Sequence, residues 1–266
     1  MLRSMYSAVS GLKSHQTKMD VIGNNIANVN TVGFKSSRVV FEDIFSQTIR
    51  PESSATADGL GGTNPQQIGL GVTVGAIDVL QTPAATQYTG KNLDVSIDGD
   101  GYFVVSDGSQ NFFTRAGDFT TDNENHLVNA DGYLVQSGNG DTSITIPAGY
   151  SDISINKNGD IIGINDTTQE KETIGTICIA NFNNPSALEK VGQNLYVSNK
   201  NTGDPVYSNP GTNGSAYIKP GSLEMSNVDL SDQFTDMIVT QRGFQANSKV
   251  ITTSDEILDE LINMKR

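Results

Sequence analysis

Two histidines, one cysteine and a few Asp/Asn/Gly turns are the side chains in this 266-residue chain whose type and spacing invite a chemical reading. His15 falls in a helical pattern and His126 in a turn, and no serine, cysteine or carboxylate stands at a spacing that would build a triad or dyad with either. Cys178 alternates with apolar neighbours in TICIA and is expected as a small buried hydrophobe. A single cysteine allows neither an intrachain disulfide nor a cysteine-based metal cluster. Asp98-Gly99-Asp100-Gly101 begins like a calcium loop, but Tyr102 occupies the next alternate position and no Glu closes the loop. Asn156-Lys157-Asn158-Gly159-Asp160 is turn chemistry first and a cation site second. Gly59, Gly61 and Gly62 neither follow a strand nor open a helix, as a phosphate loop requires. The chain is therefore expected to have no catalytic residues, no cofactor and no metal, and not to be an enzyme.

Composition narrows the partners. There are 17 basic and 30 acidic residues, a net charge of −13. Binding to nucleic acid is excluded, because it needs basic side chains to neutralise phosphates. No apolar run approaches the ~18–20 residues that a membrane span needs. The start, MLRSMYSAVSGLKSHQ, lacks a basic segment followed by an apolar stretch, so no cleaved secretory signal is expected. The charge is uneven. Residues 1–50 hold six basic and three acidic side chains, and residues 230–266 hold four and six. Residues 51–229 hold seven and 21. The middle repels its own copies at long range, while the ends can approach each other or a neighbour's ends.

Periodicity divides the chain the same way. Apolar residues recur every 3.5 positions at Met5, Leu12, Met19 and Ile26, with a companion line at Leu2, Val9, Gln16 and Gly23. At the other end one line runs Leu230, Met237, Phe244, Ile251, Leu258, and its companion runs Phe234, Gln241, Ser248, Asp255, Ile262. Such spacing predicts coiled-coil seams on two long helices. Asp229 or Ser231 suits the second helix's N-cap, with Lys265 and Arg266 at the negative end of its dipole. Gly243 inside this helix costs about 1 kcal/mol relative to Ala, which neighbour packing must offset. The first helix should fail around GNNIANVNTVGF, where four asparagines compete for backbone hydrogen bonds. Between the helices, short apolar runs such as LDVSI, GYFVV, NFFTR, GYLVQ and NLYVSN alternate with DGDG, DGSQ, NADG and NKNGD. This predicts an antiparallel sandwich or barrel-like β domain. The expected fold is thus mainly β with long terminal α-helices. Residues 1–30 and 230–266 form a discontinuous helical core domain, 31–70 a linker ordered on assembly, and 71–229 an acidic β domain.

GNNIANVNTVGFK (23–35) resembles the N-terminal signature of the bacterial flagellar rod and hook protein family, carried here by Asn24, Asn25, Ala27, Asn28, Asn30, Thr31, Gly33 and Phe34. LDVSIDGDGYFVV (93–105), FTRAGDFTTDNENHLVNADGYLV (113–135), ANFNNPSALEKVGQNLY (180–196) and residues 222–266 continue the resemblance in order, over essentially the whole chain. The ending QRGFQANSKVITTSDEILDELINMKR is more similar to the hook branch than to the distal rod branch, whose stretch tends to read QRAYE. The short stretch 140–175 resembles short hook proteins of Gram-positive type.

The resemblance implies a subunit of the tubular hook, the flexible joint between rod and filament, with the distal rod protein as the alternative. A ligand-binding β module, suggested by the Asp/Asn/Gly turns, is the remaining alternative. It further implies export through the flagellar type III apparatus without signal cleavage, and an extracellular place in the flagellum. The partners it implies are copies of itself and the rod, hook cap, hook-filament junction and export apparatus proteins. Terminal helices would form the inner tube around an export channel, with Gln16, Gln241, Asn247 and Ser248 supplying polar surface. The seam residues would carry assembly, and Cys178 with a lysine such as Lys171 is the analogue of a crosslink between neighbours.

Overall fold

The computed structural model describes residues 2–53, 61–138, 140, 142–166, 168–212 and 215–264, with Leu2 described for its backbone alone. Gly59, the Leu2 side chain, Lys265 and Arg266, all given roles above, lie outside the described residues. Among the described residues the chain is mostly β-strand, with one helix near each end and no closed barrel. It divides into two compact units.

The first unit comprises Met1–Ala27, Ser37–Val79 and Asp229–Arg266. Helix α1 spans Leu2–Ala27 and α2 spans Leu230–Asn263, the latter about 50 Å long at 1.5 Å per residue. Asp229 caps α2. Its Oδ1 accepts from the Ser231 amide at 2.8 Å and the Asp232 amide at 3.4 Å, and Asp232 adds charge at the positive end of the dipole. A two-stranded ribbon completes the unit. β1 (Ser37–Asp43) pairs antiparallel with β4 (Val72–Val79), and β2 (Ser46–Arg50) with β3 (Gln66–Gly69). These strands fall within and just beyond the stretch expected as a linker.

The second unit comprises Asn28–Ser36 and Leu80–Val228. Short strands at regular spacing build its main antiparallel sheet, around β7 (Tyr102–Ser106) and β8 (Asn111–Thr114). β5 (Thr86–Tyr88) and β6 (Val95–Asp98) pair instead with late strands, Ser222–Glu224 and Tyr217–Pro220. The strands Tyr150–Ile155, Asp160–Asn165 and Lys171–Thr176 form a separate three-stranded sheet. One core gathers Val95, Phe103, Phe112, Phe119, Leu127, Ile161, Ile177 and Ile218 among others, and a second gathers Tyr102, Val104, Phe113, Cys178 and Tyr196. β7 feeds both, because alternate side chains of a strand point to opposite faces. The Asp/Asn/Gly clusters are turns: Asn156 closes a hairpin through Asn156 N–H to Asp160 O at 2.8 Å, with Gly159 at φ +78°.

Candidate assembly surface

In the first unit the helices run antiparallel, fixed by four pairings. Asn25 Nδ2 donates to Gln233 Oε1 at 3.0 Å, and Lys18 Nζ lies 3.4 Å from Asp236. His15 fills the space over Gly243, and Asn247 fills the space over Gly11. A Cβ on Gly243 would stand 2.7 Å from the His15 ring, and one on Gly11 2.7 Å from Asn247 Nδ2, so both glycines let a large polar residue of the opposite helix close in. Ala8 and Ile22 of α1 and Thr240 and Ser254 of α2 are buried along the same line. The ribbon packs on α1: the Val72 amide donates to Ser10 Oγ at 3.2 Å, and Phe41 meets His15 edge-on at 5.7 Å. His15 Nδ1 is buried without a partner, and burial, followed by the nearby Lys18 charge, lowers its pKa.

The expected seam residues distribute over more than one face. Met5, Leu12, Met19 and Ile26 are half-buried on α1, as is Gly23, while Val9 and Gln16 are exposed. On α2, Met237, Phe244, Ile251 and Leu258 are half-buried, and the positions three after each apolar one, Thr240, Asn247 and Ser254, follow the line toward α1. Leu230, Phe234, Gln241, Asp255 and Ile262 are exposed and Ser248 is half-buried. Further apolar side chains stand in solvent on α2 (Ile238, Val239, Val250, Ile257, Leu261) and on the ribbon (Phe45, Ile49, Ile68, Ile77). Phe45 is 87% exposed, and every residue of β2 and β3 is exposed. A lone two-stranded ribbon is marginal in water. Apolar faces this extensive are candidates for an association surface.

The signature residues divide between the units. Asn25 is 2% exposed; its Nδ2 also donates to Ser37 O at 2.8 Å, and its Oδ1 accepts from the Ser37 amide at 3.0 Å. Asn24, Ala27 and Asn30 are exposed. Within the second unit, Thr31 Oγ1 donates to Asn28 Oδ1 at 3.1 Å, and the Gly33 amide donates to Glu224 O at 2.8 Å. Gly33 sits at φ +69° with Ala116 N 2.6 Å from where a Cβ would stand, so no larger residue fits. Phe34 is buried, with the Lys190 ammonium 4.8 Å over its ring.

Next to Phe34 lies a group of buried charges that the sequence patterns did not reveal. Lys35 Nζ meets Glu224 Oε1 at 2.7 Å, and Arg115 Nη1 meets Glu224 Oε2 at 3.4 Å; all three side chains are at most 2% exposed. Lys35 also donates to Thr82 O at 2.8 Å, Arg115 to Gly99 O at 2.9 Å, and the Ala84 amide to Glu224 Oε1 at 3.0 Å. Burial lowers the Lys35 pKa, against the raising effect of Glu224. The available signal was register: Arg115 follows buried Phe113 by two, just past the end of β8, and Glu224 follows buried Ser222 by two on its strand. Cys178 is fully buried and its thiol is pushed up to about 11, which makes it an inert packing group; Lys171 lies on the strand Lys171–Thr176. His126 Nε2 is 3.8 Å from Glu124 at the surface.

A unit of two paired helices with apolar faces left in solvent, in one chain with a β unit that has its own core, defines a structural subunit of the self-associating class. Three family models match it in order. Residues 5–35 match "Flagella basal body rod protein", residues 96–163 "Flagellar hook protein FlgE/F/G D1 domain" and residues 219–264 "Flagellar basal body rod FlgEFG protein C-terminal". The flagellar basal-body rod protein FlgG of Bacillus subtilis (strain 168) is 54% identical over 267 aligned positions covering 100% of both chains. FlgG of Caulobacter vibrioides is 37% identical over 97% of each. The flagellar hook protein FlgE of Borreliella burgdorferi is 30% identical over 443 aligned positions covering 100% of both. The chain belongs to the flagellar basal-body rod and hook protein family.

Proposed function

We propose that the chain is a rod subunit of the flagellar basal body, the distal rod protein, and not the hook subunit. The observation that carries this is end-to-end identity of 54% with a rod protein of matching length; the hook relatives align at 28–30% over 443 and 464 positions, far more than this chain's 266 residues. The QRGFQ stretch that favoured the hook branch is one turn of α2 in which Gly243 accommodates His15, so helix packing accounts for it without reference to branch. In this reading copies assemble with open helical symmetry into a tube. The seam residues and the exposed apolar faces of α1, α2 and the ribbon are covered by neighbouring copies, and the acidic β domain forms the outer layer. Exposed Gln16 and Gln241 suit a channel wall better than Asn247, which packs over Gly11. The subunit works outside the cytoplasm as structure, without catalysis, and meets export, cap and hook proteins during assembly. No described helix is long and apolar enough to cross a membrane.

Deleting the gene and imaging the remaining basal bodies tests the assignment. A truncated rod without a hook is expected. A complete rod that merely lacks the hook would return the chain to the hook branch.

A further inference from the structure

Within the second unit, two buried polar atoms point to a ligand that the fold itself does not supply. Arg115 Nε and Tyr102 Oη have no hydrogen-bond partner, although both side chains are at most 2% exposed. Both line one pocket of about 340 Å³, which Gln81, Asp100, Asn181 and Asn183 also line. The Arg115 guanidinium lies 5.1 Å over the Tyr102 ring, so the two side chains are neighbours in the pocket wall. Behind them stand two buried cations, Lys35 and Arg115, and one buried anion, Glu224. Counting buried side chains alone, the group is one negative charge short, and an uncompensated buried charge is costly. Asp100, exposed on the pocket lining, offsets this only as the weakest of the charges acting on Lys35. A water molecule could accept both hydrogen bonds but could not offset the charge. A carboxylate does both, since its oxygens can accept from the guanidinium and the hydroxyl together.

We propose that this pocket receives the carboxylate of an acidic side chain from a second copy of this chain, bound by Arg115 Nε–H and Tyr102 O–H. The proposal rests on the reading of the chain as a polymer subunit, rod or hook alike. Residues 51–229 hold 21 acidic against seven basic side chains, so neighbouring copies present carboxylates to each other in excess. Long-range repulsion between such surfaces needs a local cation to offset it, and one sunk in a pocket is less screened by salt than one in solvent. The volume stands at the lower end for ligand sites, near that needed for one side chain.

The test follows the Arg115 Nε–H resonance of the ¹⁵N-labelled full-length subunit at low salt, titrated with N-acetylaspartate methylamide as the side-chain probe. A saturable shift is expected, at least about tenfold weaker with the asparagine analogue and several-fold weaker in Tyr102→Phe. Asn183 is exposed at the rim, so Asn183→Trp blocks the mouth and leaves the charged trio alone. This variant is expected to melt like the wild type, to lose the shift, and to sediment as polymer about tenfold less. No shift with the probe overturns the proposal. So does probe binding combined with wild-type polymer yield from Asn183→Trp, which would mark a site for a free carboxylate instead. Because the basal-body phenotype decides rod against hook, failure here and failure of the rod assignment are distinguishable.

Discussion

The two units handle their apolar side chains in opposite ways. Of 21 large hydrophobic residues left exposed among the described residues, 17 lie in the first unit. Among the described residues its buried hydrophobics are only Ala8 and Ile22, and its helix contact is lined by Gly, Ser, Thr, Asn and His. The second unit buries two aromatic and aliphatic clusters and even sinks three charges. Hydrophobic burial is the dominant favourable term in folding. The second unit therefore carries its own stability, while the first leaves most of its largest exposed apolar side chains to solvent in the free subunit.

Breaking the buried charges should have the largest effect. Glu224→Ala strands Lys35 and Arg115 without an anion and is expected to cost about 3–5 kcal/mol, read as a lowered denaturation midpoint of the β unit. Phe103→Ala, fully buried and 5.3 Å from the Phe119 ring, is expected to cost a similar ~3–5 kcal/mol. Ile257→Ser on the exposed face of α2 should leave the free subunit within about 0.5 kcal/mol of wild type while depressing polymer yield in a sedimentation assay. If Ile257→Ser destabilised the free subunit as much as Phe103→Ala, the contrast between the units would be lost.

That contrast was partly legible in the sequence. The 3.5-residue apolar lines give both helices and nearly their ends, and the turn clusters give most strands of the β unit. Periodicity shows which side chains seek burial but not which copy provides it. Phe234 and Ile262 continue the apolar rhythm and stand in solvent, whereas polar Thr240, Asn247 and Ser254 follow the line toward α1. RVVFEDIF (38–45) and VTVGAIDV (72–79) are rich in apolar residues and carry strand alternation, but the expectation of a linker over 31–70 rests on the Gly/Ser/Thr-rich stretch between them, and that polar connector hides its apolar flanks. The Lys35–Glu224–Arg115 group joins residues up to 189 positions apart, and no local pattern reports such a pairing. Each member nonetheless lies in one of the blocks that carry the family resemblance.

Smaller effects probe the helix contact. Gly243→Ala gains about 1 kcal/mol of helix propensity but drives a methyl against the His15 ring, so in the wild-type background the gain should be cancelled or reversed. With His15→Ala the ring is gone, and the same substitution should stabilise by about 1 kcal/mol. A double-mutant cycle on thermal melts reads this change of sign, and additive effects would show that the two positions do not touch.

Acidity should produce the smallest change, and it has a definite direction. His15 lies against Phe41 and Gly243 with Lys18 one turn along its own helix, and its folded pKa is below the ordinary value of about 6.5. Between the folded and unfolded pKa values the unfolded chain holds more protons, so stability falls as pH falls. The contribution of His15 is complete above about pH 6.5 and is lost as pH drops through its folded pKa. Asp118, in the other unit, has the opposite sign: burial, with Asp94 and Asp131 adding to it, raises its pKa, so its contribution is lost as pH rises through the folded value. Hydrogen exchange resolved by segment separates the two. On moving from pH 7.5 to 5.5, after correction for intrinsic rates, protection in α1 and α2 should decrease, and His15→Gln should abolish that decrease. If the helices lost protection equally in His15→Gln, the acid sensitivity would belong to another group, and the packing of His15 over Gly243 would be only steric.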